Sequence, residues 1–244
     1  MSPYKNLFLA LSLLIITPST FAAVAGKALT VTGEVSAVRT GGEVRVLRNG
    51  SPVYGGDNII TAINASVQLR LQDGSLINLF SETDFRIESY KLNANKSKLL
   101  ESFFSLVKGG FRSLTGALVQ RNKKAYRLKT PVATIGIRGT DYAIRLCSND
   151  CPRGYTNGAL VTVFQGELQA DTASKTYRIK TNETVFIPGG EEPMEYLPAV
   201  PDILSPEPII LGDIKRLKRP GRISVEPRLR RLSFQAVERL ICIK

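Results

Sequence analysis

Short strand-like runs dominate this chain of 244 residues. Between residues 29 and 187, alternating apolar and polar residues are repeatedly interrupted by turn-forming pairs such as Asn49-Gly50, Asp73-Gly74 and Gln165-Gly166. Alternation with a period of two places apolar side chains on one face of an extended strand, and such pairs are typical of tight turns. About a dozen short strands at this spacing predict an all-β domain, as a β-roll, a solenoid-like coil, a barrel or a sandwich, and exclude a parallel α/β sheet.

Two stretches give local predictions. Alternating runs flank Asp73-Gly74 on both sides, so residues 67–80 are predicted to form a β-hairpin with a tight turn. Residues 91–101 are the polar interval in this pattern, and we expect a surface excursion there, irregular or helical.

The stretch with the clearest structural consequences spans residues 130–144, TPVATIGIRGTDYAI. Ile135 and Ile137 share one face of an extended strand. The apolar residues that follow would fall on the opposite face of an unbroken strand; they are Tyr142, Ile144 and Leu146. This change of parity predicts one extra residue, a β-bulge, which returns both apolar sets to the same core.

Gly139 is the predicted position of the bulge, because glycine adopts the backbone angles that a bulge needs. Pro131 has no N–H to donate and suits the start of the strand. A bent core strand explains this pattern by itself, and the functional alternative is a bent strand that also presents Arg138 to a ligand or partner. On that alternative, the candidate partner-binding residues are Arg138, Gly139, Thr140 and Asp141.

Residues 130–142, TPVATIGIRGTDY, resemble the signature of FecR-type domains. Five other segments resemble the family more weakly and occur in the family's order along the chain. They are GEV at 33–35, GDNIIT at 56–61, LRLQDGSLINL at 69–79, LVKGGF at 106–111 and VTVFQGEL at 161–168. The resemblance covers residues 28–190 and implies an extracytoplasmic all-β module of bacterial signalling. In the best-known members the module follows a cytoplasmic anti-sigma segment and one membrane span, and it relays a signal from an outer-membrane transporter.

Residues 1–25 have the features of a cleavable secretory signal peptide. Lys5 precedes an apolar run at residues 7–16 that is too short to span a bilayer, and small residues at 20–25 offer cleavage sites. A retained membrane anchor is the alternative. With the signal-peptide layout we expect a periplasmic protein, with no anti-sigma segment in front of the β-domain and no direct control of a sigma factor.

Three cysteines remain after export into an oxidising compartment. Cys147 and Cys151 are separated by Ser-Asn-Asp, which can turn the chain, so a disulfide that closes a small loop is expected. Two free thiols and a metal site are the alternatives, and a metal site needs further ligands. Cys242 is left either free or bridged to another chain.

The predicted organisation after the signal peptide has three parts. A FecR-like β-domain at 28–190 is followed by a Pro-rich linker or strap at 191–211, which has five acidic residues and no basic residue. The tail at 212–244 has ten basic and three acidic residues, a net charge of +7, and its apolar residues at 234–241 have the spacing of a short helix. This tail is either a solvated end or a segment that docks on an anionic polymer or a membrane surface.

Histidine is absent, which excludes Ser-His-Asp and Cys-His nucleophiles and histidine metal sites. Asp57, Asp73 and Asp84 are the carboxylates considered for glycoside hydrolysis, but Asp73 belongs to a turn and the other two to ordinary strand ends. The sequence also lacks a P-loop and a dinucleotide-binding fingerprint. We therefore expect a non-enzymatic protein with no cofactor and no metal.

The formal net charge of the chain is +12. In an exported protein such a charge favours acidic envelope partners over nucleic acid. We expect a binding module that senses or relays a signal by contacting a membrane sensor or an envelope ligand, with an inner-membrane sensor as the first partner considered. The alternative is a structural envelope protein that binds glycan or an outer-membrane protein.

Overall fold

A computed structural model describes residues 23–39 and 41–204. They form eighteen β-strands, one short α-helix and three 3-10 helices. The strands build two nine-stranded sheets that enclose a common core, so the predicted all-β, sandwich-like fold is confirmed. Most of the predicted signal peptide, the end of the predicted linker, the basic tail and Cys242 lie outside the described residues.

The strands are short, as the sequence pattern predicts. In chain order they are β1 (Val24–Thr32), β2 (Val35–Arg39), β3 (Val44–Val46), β4 (Pro52–Tyr54), β5 (Asp57–Thr61), β6 (Ser66–Leu71), β7 (Leu76–Leu79), β8 (Asp84–Leu92), β9 (Leu99–Lys108), β10 (Gly110–Leu114), β11 (Tyr126–Lys129), β12 (Thr134–Ile137), β13 (Asp141–Cys147), β14 (Gly158–Gln165), β15 (Glu167–Asp171), β16 (Thr176–Lys180), β17 (Thr184–Pro188) and β18 (Glu195–Leu197). The helix α1 spans Ala117–Arg121, and the 3-10 helices span Lys123–Ala125, Pro152–Gly154 and Asp202–Leu204. No helix in this part of the chain has the length and apolar content needed to cross a membrane.

The chain winds between the two sheets from one end of the sandwich to the other. Sheet A has the order β4-β1-β6-β7-β10-β13-β14-β17-β18, and sheet B has the order β3-β2-β5-β8-β9-β11-β12-β15-β16. Apart from the first two strands of each sheet, the order in space is the order in the sequence. The described pairs are antiparallel except β9 with β11, where the chain returns to sheet B through β10 and α1.

The core lies between the sheets and contains a row of aromatic rings. Phe104, Phe85, Phe111 and Tyr142 follow one another with ring centroids 5.2 to 5.7 Å apart. Each comes from a different strand, and all four are almost completely buried. Aromatic contacts of this kind add to the stabilisation that burial itself provides.

The apolar sets on both sides of Gly139 face this core, as predicted, but the predicted bulge in one strand is wrong. β12 ends at Ile137 in sheet B, and β13 begins at Asp141 in sheet A. The parity changes because the chain crosses to the facing sheet, whose inner face points the other way. Gly139 lies in this crossing with φ +70°, a backbone angle that glycine adopts without strain.

Two further local predictions need correction. Pro131 lies in a turn, and β12 starts only at Thr134. The fixed φ of proline suits a turn, and this turn is closed by a hydrogen bond from the N–H of Thr130 to the carbonyl of Ala133 (2.9 Å). Residues 91–101 contain no helix. They belong to the β8–β9 hairpin, whose turn is closed by a hydrogen bond from the N–H of Asn93 to the carbonyl of Lys98.

The hairpin predicted for residues 67–80 is confirmed as β6 and β7. Its turn carries Asp73, which is buried and accepts hydrogen bonds from the Ser75 hydroxyl (2.7 Å) and the Ser75 N–H (3.1 Å). The Asp73 N–H donates to the Tyr90 hydroxyl at 2.8 Å. Burial raises the pKa of Asp73 although these hydrogen bonds act to lower it.

The sandwich extends beyond the predicted β-domain at both ends. β1 starts at Val24, and β18 pairs with β17 inside the predicted linker. The 3-10 helix Asp202–Leu204 follows, and Leu204 is fully buried beside Leu160 and Phe186 on the outer side of sheet A. The described part of the linker is therefore packed along the sandwich as a strap.

Substitution of Gly139 by valine should reduce the stability of the domain by about 2 kcal/mol, because a β-branched side chain is strained at positive φ. Space is not limiting, since a Cβ at this position would meet only the Cγ of Gln120, at 3.8 Å. Gly136 provides the control, because its φ is not positive and nothing lies within 4 Å of a Cβ there. Gly136→Val should keep or raise the stability measured by urea unfolding, and equal losses in the two variants would contradict this account.

Asp73→Asn should stabilise the protein more at pH 7 than in acid. Because burial raises the pKa of Asp73 above 3.8, the folded state holds the proton more tightly than the unfolded chain. This contribution to stability is fully present below the unfolded pKa and is lost as pH rises through the folded pKa. Thermal melts of the unsubstituted protein and of the Asp73→Asn variant, at pH 7 and at about pH 3.5, measure the difference in their stability. A stability gain of the variant that is the same at both pH values would refute this reasoning.

Candidate partner-binding corner

The four predicted partner-binding residues form the crossing from sheet B to sheet A. A second crossing, from β14 to β15, lies directly against it: a Cβ on Gly166 would lie only 2.3 Å from the carbonyl oxygen of Gly139. The helix α1 borders the same corner, since a Cβ on Gly139 would lie 3.8 Å from the Cγ of Gln120. We call residues Arg138 to Asp141 the crossing corner.

Thr140 holds the corner in place. It is buried, and its N–H donates to the hydroxyl of Thr115 at 3.2 Å. The Thr115 hydroxyl donates in turn to the Thr140 carbonyl at 2.7 Å, and the Thr115 N–H donates to the same oxygen at 3.0 Å. Because these groups satisfy one another inside the protein, Thr140 positions the corner and offers little to a partner.

Asp141 is engaged in the same way. Its two carboxylate oxygens accept from Nε (2.9 Å) and Nη2 (2.8 Å) of Arg112 on the neighbouring strand β10. The Arg112 guanidinium also lies over the ring of Phe164, 4.1 Å from its centroid. A bidentate pair of this kind, half-buried and stacked, fixes both side chains, so Asp141 anchors the start of β13.

Arg138 is the exposed member of the crossing corner. Its side chain is 53% accessible, and its Nε lies 3.7 Å from an oxygen of Glu167. Its backbone N–H donates to the Glu167 carbonyl at 2.9 Å. The backbone is thus fixed while most of the guanidinium faces solvent, which is the arrangement expected of a contact residue.

Sequence reasoning missed Thr115 and Arg112, which complete the corner. They lie 25 and 29 residues from their partners in the chain. Only the position of β10 between β7 and β13 brings them there, and no motif in the sequence carries that information.

The predicted disulfide is present at the far end of β13. Cys147 and Cys151 are bonded, with Cα atoms 5.3 Å apart. Arg145 reaches Asp150 in the enclosed loop, with Nη2 2.6 Å from Oδ2. Both sulfurs belong to a small apolar cluster with Leu160 and Phe186 on the outer side of sheet A, so the bond fixes the loop against the sheet.

The three carboxylates considered for hydrolysis have local partners. Asp57 is paired with Arg45, at 2.5 Å, and accepts the N–H of Tyr54 at 2.8 Å. Asp73 is held by Ser75 in its turn, and Asp84 lies 3.8 Å from Arg86. Among residues 23–39 and 41–204, no group of three or more acidic, cysteine or histidine side chains is arranged to hold a metal ion.

Comparison with known proteins identifies the domain that contains the corner. The family model described as FecR protein matches residues 57–169. Two crystal structures of a candidate anti-sigma factor from Parabacteroides distasonis ATCC 8503, at 1.65 and 2.50 Å resolution, each align with 14% sequence identity and a TM-score of 0.45. Each alignment covers 57% of this chain and 58% of the other. No curated protein matches the sequence.

The family match starts at the first residue of β5 and ends within β15, and it includes the crossing corner and both of its supporting residues. Residues 57–169 are therefore similar to the FecR family, and the crossing corner lies inside this matched segment.

Proposed function

We propose that this protein is an exported, non-enzymatic binding module that relays a signal by contacting a membrane sensor or another component of the cell envelope. The observation that carries the proposal is the FecR match across a corner whose single exposed side chain is Arg138. Three residues hold the backbone of that corner, and the fourth presents a charge. A guanidinium in such a setting recognises a carboxylate or carbonyl group of a partner.

The surroundings of the corner support binding over catalysis. Thr140 and Asp141 already have their hydrogen-bond partners, so neither is free to act as a base or a nucleophile. A rigid corner with one exposed cation suits a contact point, because little conformational entropy is lost when a partner binds.

Export is the second part of the proposal. Residues 1–25 have the features of a signal peptide, and the bond between Cys147 and Cys151 fits an oxidising compartment such as the periplasm. The proposed partner is accordingly an envelope protein, with an inner-membrane sensor first, and nucleic acid is not proposed.

Photo-cross-linking in intact cells tests the proposed contact. We would place a photo-reactive amino acid at position 138 of the full chain and, as a control, at position 70, where Arg70 is exposed on sheet A. We expect an adduct with an inner-membrane protein from position 138 and not from position 70, because the crossing corner is the proposed contact.

Other adducts would decide against this proposal. A product with peptidoglycan or a porin would support the structural envelope alternative. Equal yields from positions 138 and 70 would show that the corner is not the contact surface.

The start of β1 allows the cleavage site to be predicted. The Ala23 carbonyl accepts a hydrogen bond from the N–H of Gly55 (3.0 Å). The carbonyl of Ala25, which is buried, accepts a hydrogen bond from the N–H of Gln72 (2.9 Å). Cleavage after Ala22 keeps both hydrogen bonds, whereas cleavage after Ala25 removes them. Mass spectrometry of the exported protein should find Ala23 at the N-terminus, and an intact Met1 in the membrane fraction would refute export as a soluble protein.

A further inference from the structure

A groove with a basic rim lies on sheet B beside the crossing corner. It forms where β11 begins, beside the first part of β9, and it has a volume of about 340 Å³. Its floor and sides include Leu100, Phe103 and Ala125, and its charged residues are Lys91, Glu101, Lys124 and Arg127. We call it the β9–β11 groove.

Positive charge is concentrated on the segment that forms one side of this groove. Residues 121–129 contain five basic residues and no acidic residue. All five are exposed, and none forms an ion pair with a carboxylate of residues 23–39 or 41–204. They are Arg121, Lys123, Lys124, Arg127 and Lys129.

The opposite side of the groove carries an exposed ion pair. Lys91 lies 2.8 Å from Glu101, which also accepts a hydrogen bond from Ser89 at 2.8 Å. The hydrogen bond from Lys91, followed by that from Ser89, lowers the pKa of Glu101 and keeps this carboxylate ionised. The groove therefore combines the exposed Lys91–Glu101 ion pair with two cations, Lys124 and Arg127, that lie within 4.0 Å of no carboxylate of the described residues.

Apolar surface lies between these charges. The Arg127 guanidinium lies over the ring of Phe103, 5.9 Å from its centroid. Leu100 is 50% exposed, one of the large apolar side chains that the described part of the chain leaves open to solvent. A ligand in this groove thus meets hydrocarbon and aromatic surface beside two cations.

We propose that the β9–β11 groove binds an acidic segment of a partner polypeptide, with carboxylates on Lys124 and Arg127 and an apolar side chain on Leu100 and Phe103. The charge of Glu101 disfavours a polyphosphate or a lipid headgroup layer, whose closely spaced negative charges would approach this carboxylate. A peptide can place its few carboxylates away from Glu101. This inference rests on the proposed binding role and specifies the chemistry of the partner.

The groove is continuous with the crossing corner. β12 runs antiparallel to β11, with Leu128 opposite Ile135, so the end of β12 lies beside the start of β11. Arg138 follows directly after β12 and therefore extends the same basic surface. A partner segment that leaves the groove in this direction would reach Arg138 next.

The test uses the exported full chain and a fluorescein-labelled peptide of the sequence EELEELEE, with binding followed by fluorescence anisotropy. Lys124→Gln combined with Arg127→Gln should weaken binding roughly tenfold, because two exposed charge contacts are lost. The matched control is Lys27→Gln combined with Arg70→Gln, an exposed cation pair of equal charge that faces outward from sheet A. This control should change the affinity less than twofold.

Three results would overturn the inference. The control pair could weaken binding as much as the groove pair, which would show an effect of net charge alone. The peptide could fail to bind while polyphosphate or phosphatidylglycerol vesicles bind and lose affinity in the groove variant. A peptide with Gln in place of Glu could bind equally well, which would remove the carboxylates from the contact. None of these results depends on the cross-link at position 138, so the groove and the corner can fail separately.

Discussion

The close approach of backbone segments where the chain crosses between the sheets is the constraint on which the rest of the structure depends. At two such points the backbones are too close for a side chain: Gly166 against the carbonyl of Gly139, and Gly116 against the carbonyl of Asp73, with a Cβ at either glycine only 2.3 Å from the oxygen. A strand that slipped by one residue would turn its apolar face to solvent and separate these contacts. The crossings therefore fix the register of the strands on both sides.

The crossings also explain why a signature of four polar or small residues presents so little chemistry to solvent. Gly139 supplies a backbone angle, Thr140 is bonded to Thr115, and Asp141 is clamped by Arg112. These three residues position the fourth. Arg138 is placed by its neighbours without having to fold back on them, and it can therefore serve recognition without loss to the fold.

The sequence predicts what depends on local geometry. The β6–β7 hairpin, the inward faces of Ile135 and Tyr142 and the bond between Cys147 and Cys151 all follow from spacing and residue type, and the structure confirms them. The crossing between sheets was not predicted, because an extra residue in one strand and a passage to the facing sheet change the parity of an apolar pattern in the same way. The pairing of Arg112 with Asp141 was equally hidden, since it depends on which strands are neighbours.

Pairing with a carboxylate separates the arginines that support the fold from those that remain available. Arg45, Arg112 and Arg145 lie within 2.8 Å of an aspartate oxygen, and each is largely buried. Loss of one of these partners would leave a charge without its counterpart, a costly change in a half-buried site.

Arg127 has no such partner among the described residues, and Arg138 has only a distant one. Arg127 lies on β11 of sheet B, and Arg138 directly follows β12 of the same sheet. A partner that brings its own carboxylates completes there the kind of ion pairing that the protein already has elsewhere, and for that reason the recognition surface is expected on this side.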